Sequence, residues 1–261
     1  MTTALITGAS SGIGAVYAER LARRGYDLIL VARDAAKLTA LAGRLEAATG
    51  RKVDTIAADL GVSADLRRVE QRLASDGSIG MLVNNAGLGS VKPLVDSTPE
   101  ELDTLINVNI TALTRLTRAA APGMVARGQG AIINISSIAA LKPELLNGTY
   151  GGSKAFVLAL SQSLHHEIGG KGVQVQAVLP GAIATPFWDR AGHAVENLPA
   201  EWVMTPEDLV DAALSGFDQR ELVTVPSLPD LGDFNRMEEA RNALAGNLSR
   251  NKPGVRYLTA A

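Results

Sequence analysis

Thr7-Gly8-Ala9-Ser10-Ser11-Gly12-Ile13-Gly14 follows a short apolar run, Ala4-Leu5-Ile6, and opens into a segment of helical character, Ala15 to Arg24. Glycine lets a backbone turn tightly and approach a ligand with no Cβ in the way. The first N–H groups of a helix have no intrahelical partner and carry partial positive charge, so they favour a phosphate. Strand, glycine turn and helix start in this order predict a pyrophosphate cradle built from Gly8, Ser10, Ser11, Gly12, Ile13 and Gly14. The bland alternative is a tight strand–helix turn with no ligand. The spacing Gly-x-x-x-Gly-x-Gly is one residue longer than the usual dinucleotide fingerprint.

Outward from this loop, apolar runs and helical patterns alternate. Strands are predicted at 3–7, 27–32, 52–57, 80–84, 130–136, 173–179 and 221–225, with helices near 12–24, 34–49, 62–75, 99–127, 149–169 and 206–216. Strands separated by helices of this length imply βαβ units and a parallel sheet, an α/β fold. Continuous apolar runs such as Ala131-Ile132-Ile133-Asn134-Ile135 suit strands covered on both faces. Thr98-Pro99-Glu100-Glu101 reads as a capping box with proline at the first helical position, and Thr205-Pro206-Glu207-Asp208 repeats the design. The stretch 186–204 lacks a clear period and carries Phe187, Trp188, Leu198 and Trp202. Long connections in compact domains are usually functional, so it is expected to be a substrate-binding loop. Beyond it, 226–261 forms a C-terminal extension, with an amphipathic helix expected over 230–248 from the spacing of Leu231, Phe234, Met237, Arg241, Leu244 and Leu248.

Bulk properties narrow the function classes. The chain has 261 residues, 46% of them hydrophobic, enough for one sizeable core. A net charge of −2 gives no electrostatic reason to expect nucleic acid or an anionic membrane surface. No cysteine is present, which excludes disulfides, thiol catalysis and thiolate metal sites. His165 and His166 are adjacent on a helix and do not face one another, so no metal site is expected. The first strand begins almost at Met1, leaving no room for a leader, and the apolar runs fall far short of the roughly 20 residues of a membrane span. A soluble cytoplasmic protein is the expectation.

Four further features sit at strand ends or helix starts. Arg33 follows the second strand, where the adenosine ribose of a dinucleotide lies. A guanidinium there pairs with a 2′-phosphate, which favours NADP(H). Asp34 is the competing reading, although it also reads as the N-cap of the next helix. Tyr150 and Lys154 are four residues apart and share a helix face. An ammonium beside a phenol stabilises the phenolate and brings its pKa toward the range useful for acid–base work. Ser136-Ser137 ends the fifth strand and Asn84-Asn85-Ala86-Gly87 ends the fourth, where ligands of doubly wound sheets bind. Taken singly, each has a bland reading as a turn, a cap or an exposed pair.

Together these residues resemble the short-chain dehydrogenase/reductase family over roughly residues 3–226. The glycine motif, Asn84-Asn85-Ala86-Gly87, Asn109, Ser137, Tyr150-x-x-x-Lys154 and Pro180-Gly181 followed by Thr185 occur in that family's order. The resemblance implies one Rossmann-type domain with a seven-stranded parallel sheet of order 3-2-1-4-5-6-7. It implies a catalytic tetrad of Asn109, Ser137, Tyr150 and Lys154. It implies cofactor contacts from Arg33, Asp59, Leu60, Asn85, Ala86, Gly87, Tyr150, Lys154, Pro180, Gly181, Ile183 and Thr185. Within the family, Asn109 would help hold a water that relays protons to Lys154. A homodimer or homotetramer is the family's usual state. The implied activity is NADP(H)-dependent interconversion of a ketone or aldehyde and a secondary alcohol. Leu88, Leu145, Leu146, Phe187, Trp188 and Trp202 are candidate substrate contacts, suggesting an apolar or aromatic carbonyl compound. A 3-oxoacyl-carrier reductase and a sugar or steroid dehydrogenase stay open as alternatives. A non-catalytic sensor of nicotinamide cofactor is the alternative of another class.

Overall fold

The computed structural model describes residues 2–258. Seven strands form one parallel sheet: β1 (Thr3–Thr7), β2 (Asp27–Ala32), β3 (Val53–Ala57), β4 (Ile79–Asn84), β5 (Gly130–Ile135), β6 (Val173–Val178) and β9 (Val223–Thr224). The spatial order is β3-β2-β1-β4-β5-β6-β9. This is the predicted order, with the last strand numbered ninth because a short parallel pair, β7 (Ala182–Ile183) and β8 (Val203–Met204), intervenes. The order reverses direction at β1, so the loops after β1 and β4 diverge there and leave a crevice.

Alternation along the strands builds two cores. Ala4, Ile6, Leu28, Leu30, Met81 and Val83 face one side, where they pack with α1 (Gly12–Arg23), α2 (Ala35–Thr49) and α8 (Pro206–Asp218). Leu5, Ile29, Val31, Leu82 and Ile132 face the other, against α3 (Ser63–Ser75), α5 (Leu113–Arg127) and α6 (Gly148–Ile168). Burial on both faces explains why these strands read as continuous apolar runs.

Two differences from the sequence expectation bear on function. The helix expected over 99–127 is continuous but not regular. It consists of α4 (Pro99–Ile106), a π-helical stretch Asn107–Ala112, and α5. The Thr98 capping box starts α4 as expected. The stretch 186–204 is built rather than irregular: it holds the short helix α7 (Phe187–Ala191), two 3₁₀ turns and β8. Apolar periodicity missed these elements because each is too short to show a period.

The chain divides into two compact units, Met1–Pro226 and Ser227–Ala261. In the second, α9 spans Leu231–Ala243 and a 3₁₀ turn follows at Ala245–Asn247, so the helix stops short of the expected 248. Gly246 lies in that tighter turn, and glycine favours helix poorly. Leu231, Met237, Leu244 and Leu248 are exposed, whereas Phe234 is buried. The last three residues of the 226–261 extension lie outside the described residues. Among the described residues no helix is long and apolar enough to cross a membrane.

Candidate active site

The glycine loop is held open from below. Thr7 ends β1 and is buried. Its hydroxyl accepts from the backbone N–H of Asn85 and of Ala86, both at 3.0 Å. The Asn85 amide donates back to the carbonyls of Thr7 (2.9 Å) and Gly8 (3.2 Å). This cross-tie between the ends of β1 and β4 leaves no room for side chains. A Cβ on Gly14 would lie 2.4 Å from the Gly8 carbonyl oxygen, and one on Gly12 would lie 3.0 Å from Thr185 Cγ2. Gly8 and Gly12 also take φ of +66° and +54°, values that disfavour side chains. Ser10 and Ser11 are half-buried in the turn, and Ile13 packs against the core.

The start of α1 has no side-chain cap, whereas Asp34, Thr98, Asn147 and Thr205 cap α2, α4, α6 and α8. Its first N–H groups are therefore left without a capping side chain. That combination of space and donors fits a pyrophosphate.

Arg33 lies just past β2, with its side chain 62% exposed and one Nη 4.0 Å from Asp59 Oδ2. Such a loose pair leaves the guanidinium free to take an anion. Asp34 is the N-cap of α2, accepting from the Lys37 N–H at 3.0 Å, as its competing reading anticipated. Asp59 closes a turn through the Gly61 N–H. The Leu60 side chain belongs to the core, so only its backbone faces the loops.

The remaining side chains converge beyond β4 and β5. Asn109 sits in the π stretch and is buried. Its oxygen accepts from the Leu88 N–H at 2.8 Å, and its nitrogen donates to the Leu88 carbonyl (2.9 Å) and Ser153 Oγ (3.0 Å). The wider π turn is the kind of irregularity that recurs at functional sites. A Cβ on Gly87 would lie 3.4 Å from Lys154 Nζ and 3.5 Å from Asn109 Oδ1, so these three residues share one space. Lys154 Nζ donates to the Ile135 carbonyl at 2.9 Å, and Ser136 Oγ donates to the Lys154 carbonyl at 2.7 Å. Of the two serines ending β5, Ser136 thus anchors α6. Ser137 is the one that reaches the Tyr150 phenol.

The phenol and the ammonium are both buried, and burial dominates both. It pushes Tyr150 up to about 12, opposed by the hydrogen bond from Ser137. It lowers Lys154 to about 8. The expected lowering of the Tyr150 pKa is therefore outweighed by loss of solvent. Tyr150 is protonated at neutral pH, the form needed to donate a proton.

Lys154 leads to a pH dependence of stability. Between about 8 and its ordinary 10.5, the unfolded chain binds more protons than the folded one. Stability contributed by this group therefore rises with pH across that window. Relative to Lys154→Met, the wild-type midpoint in urea should increase from about pH 7 to about pH 10. Parallel midpoints at both pH values would refute this assignment.

Of the candidate substrate residues, Leu146 and Phe187 pack with Tyr150, Leu105 and Ala139. The Phe187 and Tyr150 ring centroids are 5.9 Å apart. Leu88 is half-buried beside Asn109. Trp188 is buried and its indole N–H donates to the Ile183 carbonyl at 3.0 Å, so it fastens α7 to β7. Trp202 and Leu145 are exposed. The Thr185 hydroxyl lies 3.4 Å from that same Ile183 carbonyl. The Pro180 carbonyl accepts from the Ile138 N–H at 2.9 Å, joining the loop after β6 to the one after β5, with Gly181 next in line.

Sequence reading did not find the braces: Thr7, Asn147 and Ser153. Asn147 caps α6 and donates to the Lys92 carbonyl at 2.5 Å. Ser153 takes the Asn109 amide and donates to the Tyr150 carbonyl at 2.7 Å. A small polar residue one place before Lys154 was the available signal.

A family model described as short chain dehydrogenase matches residues 2–196. Among solved structures, a short-chain dehydrogenase from Sphingobium yanoikuyae in complex with NADPH is 50% identical with a TM-score of 0.96, covering 99% of this chain and 100% of that one. The bulky-bulky ketone specific alcohol dehydrogenase from Comamonas testosteroni is 46% identical with a TM-score of 0.92, covering 99% of each chain. A very-long-chain 3-oxoacyl-CoA reductase of Anas platyrhynchos is 37% identical over 81% of this chain. The chain spans 56–67% of the length of such curated relatives. With its glycine cradle at the switch point and its buried Ser137, Tyr150 and Lys154, the chain belongs to the short chain dehydrogenase family of oxidoreductases.

Proposed function

We propose that this protein is an NADP(H)-dependent carbonyl reductase acting on apolar or aromatic ketones. The observation that carries the reading is the buried Ser137–Tyr150–Lys154 group beside an uncapped, side-chain-free cradle. The NADPH complex and the ketone-specific alcohol dehydrogenase among its structural relatives support the cofactor and the substrate class.

The chain's own groups divide the work. Gly8, Gly12 and Gly14, with the start of α1, would hold the pyrophosphate. Arg33 would hold the 2′-phosphate, and Thr185 and the backbone of Ile183 would hold the carboxamide. Bound NADPH supplies the hydride that reduces the carbonyl carbon. The Ser137 hydroxyl donates a hydrogen bond to the carbonyl oxygen, and Tyr150 delivers the proton to that oxygen. Lys154 lies 5.8 Å from the Tyr150 ring centroid, where an ammonium favours the phenolate left behind. The Asn109 side chain braces Leu88 and Ser153, holding the wall around Lys154.

The 3-oxoacyl-CoA reductase relative favours a second reading, reduction of a 3-oxoacyl thioester. A panel of aryl ketones, a keto-steroid, a keto-sugar and a 3-oxoacyl thioester, followed by NADPH consumption, tests both. Aryl ketones should give the highest kcat/KM. Preference for the thioester would replace the first reading with the second. Arg33→Ala should weaken NADPH by about 10–100-fold, the worth of a charge-assisted phosphate contact, and leave NADH nearly unchanged. Equal losses in a binding titration would remove Arg33 from the 2′-phosphate site.

A further inference from the structure

Gly89 and Phe187 form a seam that the catalytic group does not need. A Cβ on Gly89 would lie 2.1 Å from Phe187 Cζ, so the ring rests directly on the glycine backbone. Gly89 has no positive φ, so its backbone alone would accept a side chain. The ring is what excludes one.

Both sides of the seam are fixed. On the glycine side, Leu88 is held at both its N–H and its carbonyl by the Asn109 amide. Two residues past Gly89, the Val91 N–H donates to the Ala191 carbonyl at 3.2 Å, tying this strand exit to the end of α7. On the phenylalanine side, Trp188 is buried and bonded to Ile183. Its ring stands edge-on to Phe187 at 5.7 Å. Phe187 itself is half-buried and turns its ring toward the buried Tyr150. A backbone held on both sides thus faces one side chain, and that side chain packs against the Tyr150 ring.

We propose that Phe187, seated on Gly89, sets the upper size of the substituent a carbonyl substrate carries on the α7 side of Tyr150. This rests on the carbonyl-reductase reading and adds its specificity residue. The ring occupies volume next to the phenol, and the glycine lets it sit there without crowding Tyr150. A smaller residue at 187 opens that volume. A larger one at 89 drives the ring off its seat.

The test compares a methyl aryl ketone with a diaryl ketone, using kcat/KM and, independently of turnover, Kd from quenching of tryptophan fluorescence. Phe187→Ala should raise the diaryl-to-methyl ratio of kcat/KM by about tenfold or more, the usual yield of a reshaped apolar pocket, with Kd moving the same way. Gly89→Ala should change the ratio in the wild-type background and have little effect beside Phe187→Ala, because the clash is gone. An unchanged or lowered ratio in Phe187→Ala, or equal effects of Gly89→Ala in both backgrounds, would overturn the proposal. Wild-type protein that reduces neither ketone, and binds neither, would instead overturn the carbonyl-reductase reading on which it rests.

Discussion

Tyr150→Phe is expected to lower kcat for ketone reduction by about 10²–10⁴, the usual worth of a positioned general acid. The substitution removes one oxygen and keeps the ring. Packing against Leu105, Ala139, Leu146 and Phe187 is therefore retained. Ser137 loses the phenol but still accepts from the Ala139 N–H at 3.1 Å, so the turn after β5 keeps its cap. Lys154 keeps its bond to the Ile135 carbonyl. The phenol bonds Ser137, whereas the glycine loop is braced through Thr7 and Asn85, so NADPH affinity should change little. The decisive measurement pairs steady-state NADPH consumption with a direct NADPH titration. Near-normal turnover would remove Tyr150 from the proton path. A parallel loss of NADPH binding would make it a cofactor-positioning residue.

Gly14→Ala should be as damaging for the opposite reason. Within an exposed helix, alanine is better than glycine by about 1 kcal/mol. Gly14 is buried, and an added Cβ would lie 2.4 Å from the Gly8 oxygen, 2.5 Å from Asn85 Nδ2 and 2.9 Å from the Gly8 carbonyl carbon. Two of those atoms are backbone, and Asn85 is itself tied to Thr7 and Gly8. The loop must move away, and with it the donors at the start of α1. Overpacking of this kind costs about 1–3 kcal/mol of stability. Displacing donors from a phosphate should cost at least about tenfold in NADPH affinity. Gly43→Ala in α2 is the matched control, since nothing lies within 4 Å of its added Cβ. It should raise the thermal midpoint slightly and leave NADPH binding alone. An innocuous Gly14→Ala would show that the cradle tolerates a Cβ.

The fold was legible because its signals are long-period and local. Both-face burial makes β1, β2 and β5 continuous apolar runs, and α1, α2 and α6 are long enough to show a period. The order of the sheet came with the family resemblance, and the structure reproduces it. The candidate catalytic set came with the family resemblance, and the structure brings Ser137, just past the end of β5, to Tyr150 in the first turn of α6. The braces were not legible. Thr7, Asn147 and Ser153 act through hydrogen bonds to partners far off in the chain, and neither composition nor periodicity carries a contact between residues 78, 55 or 44 places apart. The pKa of Tyr150 was misjudged for a related reason. Spacing places the ammonium nearby but says nothing of how little water reaches the phenol. The bond from the Trp188 indole to a backbone carbonyl five residues away left no trace in the sequence either.

The π stretch at Asn107–Ala112 puts α4 and α5 out of phase. Each residue of an α-helix turns the next by about 100°. A one-residue deletion in this stretch would let the two helices merge into a single regular one, a gain in local order. It would also carry Asn109 off the Leu88 backbone and away from Ser153. Substitutions nearby are absorbed by the surrounding helix, whereas a change in count is passed on as a rotation of everything after it. Improving the helix and keeping the site are opposing demands here, and the extra residue marks which one prevailed.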